Sequence, residues 1–457
     1  MTEFAKAQRE IIQENQLQEK IINEEFKIWK KTIPLLYDLI DTFVLSTPTP
    51  IFKWVPLTTT SKDGKSITLK FLYSNKEQLD NNTYLKLASL NLPSTLIGGT
   101  AKLPTIEPNT SFQVLNKWKL THDINKLKIS PGGKLAISFN TEGIIHSYNL
   151  DTNTTVEYNY HKQQGYALDW ISDAQFLSGA NDCQVALWNI DKPSTPIQLF
   201  KSHTGAINDL SSSQELLFGS VSDDSTTQFH DIRTLDAAPV ITVQNQHIQN
   251  SIKFHPNVNT LYATGGKDNT VNLYDLRKAD VPFRKLYGHN DSISDLTWDV
   301  HNPLGLISSS LDRRIIYWNI NKLNQEFDIN KQKKKVVDPS LKFIHGGHTQ
   351  RINDFDLHPS VKDLFASVGD DNLFEVWKPK SVAEEEESEE EEEQEEEKEE
   401  EQEEAQEEEA PAEAEQSEEK VEPEEEEEVK PESEDVKPEV EPKEEPVEDK
   451  EDVEMKD

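Results

Sequence analysis

From about residue 120 to residue 380 one hydropathy pattern recurs along the chain. An apolar stretch ends in Ser or Thr, a turn rich in Asp, Asn and Gly follows, and an alternating stretch then ends in an aromatic. LSGANDCQVALWNI, ATGGKDNTVNLYDL, ISSSLDRRIIYWNI and FASVGDDNLFEVWK are four such segments. Apolar and polar residues alternating on both sides of a tight turn predict two antiparallel strands joined as a hairpin. The segments superimpose without gaps on the turn acids Glu142, Asp182, Asp224, Asp268, Asp312 and Asp371. Six residues after each acid stands Tyr148, Trp188, His230, Tyr274, Trp318 or Trp377, and four before it Ser138, Ser178, Ser220, Thr264, Ser308 or Ser367. A histidine precedes each acid by 20 to 23 residues: His122, His161, His203, His247, His289 and His348.

In this register the chain resembles WD repeats, in which turn acid, histidine, strand hydroxyl and aromatic form one hydrogen-bonded chain. Buried polar groups must find partners, so these recurring residues are structural, and none is assigned as catalytic or metal-ligating. The turn acids are 40, 42, 44, 44 and 59 residues apart. The last gap holds an insertion of roughly 15 residues against the repeat period, placed at 321–342. A closed ring leaves no sheet edge exposed. The degenerate strands IFKWV, SITLKFLYS and YLKLASL, between Ile51 and Leu90, supply the missing blade. The expected fold is all-β, a seven-bladed WD40 β-propeller with an N-terminal α-helix and a disordered acidic C-terminal tail.

The ends of the chain follow other patterns. Glu3 to Ile33 contains no Gly or Pro and sets Leu17, Ile21, Ile22, Phe26 and Trp29 at helical steps. This predicts an amphipathic helix ending at Pro34. The predicted organisation is 1–42, a helix packed on the propeller flank; 43–380, the propeller; and 381–457, the tail.

Charge separates body from tail. Residues 381–457 hold 43 of the chain's 85 acidic residues and 7 of its 47 basic ones, out of a net charge of -38. That composition buries too little apolar surface to fold. It reads either as a solubilising appendage or as a mobile polyanion that attracts basic partners. The single cysteine, Cys183, forms no internal disulfide, which points to a reducing compartment, cytoplasm or nucleus. No early segment is apolar enough to be a signal peptide or a membrane span. No Walker A, dinucleotide, HExxH or nucleophile-elbow motif occurs, so neither an enzyme nor a cofactor is indicated. Non-specific nucleic-acid binding is disfavoured by the tail.

More specific words stand at both ends of the ring: INEEFKIWKKTIPLLYDLI at 22–40, IFKWVP from Ile51, and FIHGGHTQRINDFDLHP at 343–359. With QGYALDW at 164–170 and LSGANDCQVALW at 177–188, they resemble the histone-binding WD40 family over about 21–378. That family includes the retinoblastoma-binding proteins, the small subunit of chromatin assembly factor and the accessory subunit of the type B histone acetyltransferase. The resemblance implies a non-catalytic, histone-binding subunit that presents histone H4 to a separate catalytic acetyltransferase subunit. Membership of chromatin assembly factor or another chromatin complex, or a scaffold role unrelated to histones, is the alternative, since fold alone does not fix function.

The resemblance also implies two binding surfaces. A groove for the first helix of histone H4 has Leu35, Leu36, Phe343 and Ile344 as its apolar floor, with Glu326, Asp328 and Asp338 as the acids of the inserted loop. A top face for the N-terminal tail of histone H3 has Asp123, Asn125, Tyr166, Asn250 and Asp370 on its rim. The chain departs from the family in its four loop lysines, and in Gln164, Asn208 and Ser292 where acids are usual. Both differences weaken attraction for a basic partner.

Overall fold

A computed structural model describes residues 3–61, 66–78, 80–93, 112–214, 216–234, 237–324 and 337–380, with helix side chains from residue 16 onward. The expected tail and the loop acids Glu326 and Asp328 lie outside the described residues.

The strands form seven antiparallel four-stranded sheets. Blade 1 comprises Phe52–Thr60, Ser66–Lys76, Thr83–Pro93 and Gln113–Lys119. Blade 2 follows with Ile124–Ile129, Leu135–Asn140, Ile144–Asn149 and Thr155–Asn159, and blade 3 with Gly165–Ser172, Gln175–Ala180, Val185–Asn189 and Gln198–Phe200. Blade 4 is Ile207–Ser212, Leu217–Ser222, Thr226–Asp231 and Ile241–Gln244; blade 5 is Gln249–Phe254, Leu261–Gly266, Thr270–Asp275 and Arg284–Tyr287. Blade 6 is Ile293–Trp298, Gly305–Ser310, Ile315–Asn319 and Leu341–His345. Blade 7 takes Ile352–Leu357, Phe365–Gly369 and Leu373–Pro379 from the end of the propeller, and its outer strand, Tyr37–Val44, from the beginning. The seven-bladed ring therefore has the expected number of blades, and the degenerate strands do form the first.

Closure corrects the expected boundary at residue 42. The helix spans Glu3–Leu36, with Pro34 in its last turn. Proline lacks the N–H that an interior helical position needs, and the helix runs only two residues past it. The next residues, 37–42, belong to the ring and not to the helical segment: Ile40 pairs with Trp377 and Val44 with Leu373.

Seven apolar clusters are found among the described residues, one in each seam between adjacent blades. Trp188, Trp318 and Trp377 are fully buried there. In blades 2 to 7 the innermost strand carries a bulge just after its first residue. Such a bulge re-aims one side chain. In four blades the bulged residue is an asparagine whose amide donates to a carbonyl of the next blade. Asn125 reaches Gly165 O (3.3 Å), Asn208 reaches Gln249 O (3.0 Å), Asn250 reaches Ile293 O (2.7 Å) and Asn353 reaches Thr49 O (3.2 Å).

The four-residue hydrogen-bonded chain is complete in blades 3, 6 and 7. In blade 6, His289 Nδ1 lies 3.0 Å from Asp312, its Nε2 lies 2.7 Å from Ser308 Oγ, and Trp318 Nε1 donates to the same hydroxyl at 2.8 Å. Blade 4 seats His203 between Asp224 and Ser220, but His230, at the aromatic position, bonds Ser202 instead. Blades 2 and 5 overturn the expectation. The seated histidines all stand four residues before the innermost strand, where these two blades have Leu120 and Asn245. His122 and His247 come two residues too late and are exposed.

Candidate functional site

The N-terminal helix crosses the seam between blades 6 and 7 with one face down. Ile22, Phe26, Trp29 and Ile33 are half-buried on that face, at steps of four, three and four, while Leu17, Ile21, Ile28 and Leu35 point outward. Trp29 and Ile33 pack against the seam's apolar cluster. Polar contacts fix the helix in place. Glu25 pairs with Arg313 (3.0 Å) and Arg314 (3.4 Å) on the turn of blade 6. Exposed pairs of this kind contribute little individually.

A buried relay contributes more. Trp29 Nε1 donates to the Tyr37 hydroxyl at 2.9 Å, and that hydroxyl lies 2.9 Å from His345 Nδ1. Burial lowers the His345 pKa, against the pull of Glu375, so the ring is neutral near neutral pH. Its Nδ1 then accepts from Tyr37, and its Nε2–H lies 3.1 Å from Glu375 Oε2, off the line of a good hydrogen bond. Burial pushes Glu375 up, but the neighbouring imidazoles outweigh it and hold the carboxyl below its usual range. The His345 ring stacks on Trp377 at 4.2 Å, joining the helix anchor to the hydrogen-bonded chain of blade 7. His345, His348 and Glu375 are close enough to hold a metal. Both nitrogens of His348 are already engaged, by Asp371 and Ser367, so the trio acts as a hydrogen-bonding cluster.

Above this relay, helix and blade 6 enclose a cavity of about 330 Å³ lined by Ile28, Trp29, Thr32, Leu36, Arg314 and Ile344, among others. Leu36 and Ile344 are 40% and 36% exposed, so both offer apolar surface to a partner. Of the expected groove floor, these two come together. Leu35 lies at the helix end, 72% exposed and outside the cavity lining. Phe343 is turned beneath the strand, between Tyr37 (5.2 Å) and Trp377 (5.9 Å). Alternation along Leu341–His345 puts it opposite Ile344.

Asp338 is not a groove acid. It is 2% exposed, and its carboxylate meets Arg284 (3.3 Å) and accepts from the N–H groups of Tyr287 (3.1 Å) and Ser340 (3.0 Å). It ties the foot of the inserted loop to the outer strand of blade 5.

The top-face set divides in the same way. Asn125 and Asn250 are inter-blade latches, and Asn250 also donates to Ser292 Oγ at 2.9 Å. Asp123 accepts from Thr83 (2.8 Å), and Asp370 is paired with Arg351 (2.9 Å) and Asn353 (2.8 Å). Tyr166 occupies the bulged position of blade 3 and is 42% exposed. The five start the innermost strands or flank them at one mouth of the ring.

Sequence reasoning missed the latches and the relay. The latches had a signal, Ile-Asn recurring at 124–125, 207–208 and 352–353; the relay, assembled from residues 308 apart, had none.

Comparison with known proteins agrees with this geometry. Residues 24–94, covering the end of the helix, the closing strand and most of blade 1, match the family model described as the histone-binding protein RBBP4 or a component of the CAF1 complex. Residues 239–275 and 280–319 match the WD domain, G-beta repeat. The chain is 31% identical to histone acetyltransferase type B subunit 2 of Candida glabrata over 385 residues, covering 79% of this chain and 89% of that one. Proteins of the same name from Kluyveromyces lactis and Debaryomyces hansenii are each 29% identical, covering 78% and 81% of this chain and 92% and 93% of theirs. The chain therefore belongs to the histone acetyltransferase type B subunit 2 family of WD-repeat propellers.

Proposed function

We propose that this protein is the histone-binding, non-catalytic subunit of a type B histone acetyltransferase, presenting histone H4 to a separate catalytic subunit. The observation that carries this reading is the apolar cavity between the N-terminal helix and Ile344, within a chain whose residues 24–94 match a histone-binding family model. An amphipathic helix laid in such a groove is held by a few apolar anchors. Burying each contributes roughly 1.5–3 kcal/mol, enough for micromolar binding by three or four of them. Glu25 neutralises Arg313 and Arg314 on the cavity wall, which removes a repulsion that basic histone side chains would otherwise meet. The rim residues Tyr166, Asp123 and Asp370 take the histone H3 tail. The acidic tail adds long-range attraction, and the protein works in cytoplasm and nucleus. The family model's own description, which names the CAF1 complex, favours a second reading in which the same groove serves chromatin assembly.

Titrating the full-length protein with a peptide of the first H4 helix tests the groove. Micromolar binding is expected, weakened about tenfold by Ile344→Ala, the loss of one anchor. Absence of binding, or binding indifferent to Ile344→Ala and Leu36→Ala, overturns the groove assignment.

A further inference from the structure

Blade 5 has an otherwise complete polar chain with one member exchanged. Asn245 stands where blades 3, 4, 6 and 7 seat a histidine, and its amide donates instead to Thr227 Oγ1 at 2.8 Å. Asparagine is shorter than histidine, and a cavity of about 330 Å³ opens beside it. Two acceptors are orphaned there. Asp268 Oδ2 accepts from Thr270 (2.7 Å) and Asn272 (2.9 Å), leaving the buried Oδ1 without a partner. Gln249 is 3% exposed; its amide nitrogen is held by His247 O at 3.1 Å, which leaves its buried Oε1 unpartnered as well. Both residues line the cavity.

The rest of the wall defines what fits. Asp280 is exposed beside the cavity, so two carboxylates face one lysine, Lys285. The balance is negative, and the orphaned atoms are acceptors, which selects a cationic N–H donor. Tyr274, Val281 and Pro282 supply an apolar side for a methylene stem. The exposed residues Gln246, His247 and Val281 leave the entrance open to solvent.

We propose that the cavity left by Asn245 in blade 5 binds a lysine side chain of a basic polypeptide, its ammonium meeting Asp268 Oδ1 and Gln249 Oε1. The ammonium has three donors and can serve both oxygens at once. This site is separate from the helix groove and does not depend on the groove's occupant.

The test is NMR titration of the full-length protein with n-butylammonium, n-butanol, N-acetyl-lysine-N-methylamide and the ε-acetylated form of the last. The two ammonium compounds are expected to bind saturably, with a Kd of about 1 mM for so small a ligand. Butanol and the acetylated lysine are expected not to bind. Asn245→His returns an imidazole to the seat and should abolish binding; Asp268→Asn should weaken it about tenfold through loss of the charge-assisted bond. No saturable binding by the ammonium compounds overturns the proposal. So does equal binding of the acetylated lysine, or binding unchanged in both variants. Tight n-butylammonium binding with none by the lysine amide reduces the site to a pocket for free amines and overturns its assignment to a polypeptide.

Discussion

Blades 5 and 6 are neighbours that share one apolar cluster, yet only blade 6 closes its polar chain. Trp318, Ser308, His289 and Asp312 are joined end to end in blade 6, whereas blade 5 has Tyr274, Thr264, Asn245 and Asp268, with no imidazole to link them. The two blades nevertheless keep the same strand count and the same bulge. The ring is thus held by its seams, and the polar chain adds stability and rigidity blade by blade. A blade that loses one member exchanges stability for a cavity with unpaired acceptors.

Acid sharpens this contrast most. In blade 4 a histidine, His230, replaces the tryptophan, and burial, with the nearby His203, lowers its pKa to about 4. An unfolded histidine titrates near 6.5, so the unfolded chain binds the extra proton first as pH falls. Stability contributed by the neutral ring is fully present above pH 6.5 and is lost as pH falls towards 4, a loss of about 3 kcal/mol. Chemical denaturation at pH 7 and pH 4.5 should show it, and His230→Phe should lose about that much less over the same interval. An identical loss in both proteins refutes the assignment.

Removing the turn acid breaks the contrast directly. Asp312→Ala leaves His289 Nδ1 and the N–H groups of Asn290 and Arg314 without their acceptor, and should cost about 2–3 kcal/mol. Asp268→Ala strands only Thr270 and Asn272 and should cost about 1 kcal/mol. Equal shifts in melting temperature would mean that the seated histidine adds nothing. The smallest effect has the opposite sign: Asn245→His should raise stability by about 1 kcal/mol by supplying the missing donor, and a lower melting temperature would show that blade 5 has relaxed around asparagine.

Much of the ring was legible because a two-residue alternation and a turn every forty-odd residues are local signals. The blade count, the degenerate first blade and the long final gap all followed from them. The histidine assignments in blades 2 and 5 failed for a definite reason: they were counted back from the turn acid across a loop of variable length. Counting back from the start of the innermost strand separates His203 and His289 from His122 and His247. The groove was legible in part. Leu36 and Ile344 meet as expected, but Phe343 is turned inward by strand alternation, and Asp338 is taken up by Arg284. Neither Arg284 nor the buried fate of Asp338 is written near the loop.

The sequence by itself determined which segments are strands, where the tight turns lie and how many blades must close, since hydropathy period and turn chemistry act between residues close along the chain. Tertiary structure alone decided that Tyr37–Val44 completes the seventh blade, and that Trp29, Tyr37, His345 and Glu375 form one buried relay beneath the groove. Those contacts join residues about three hundred positions apart. Their partners are selected by ring closure, which forces distant donors and acceptors out of water together and leaves them only one another to satisfy.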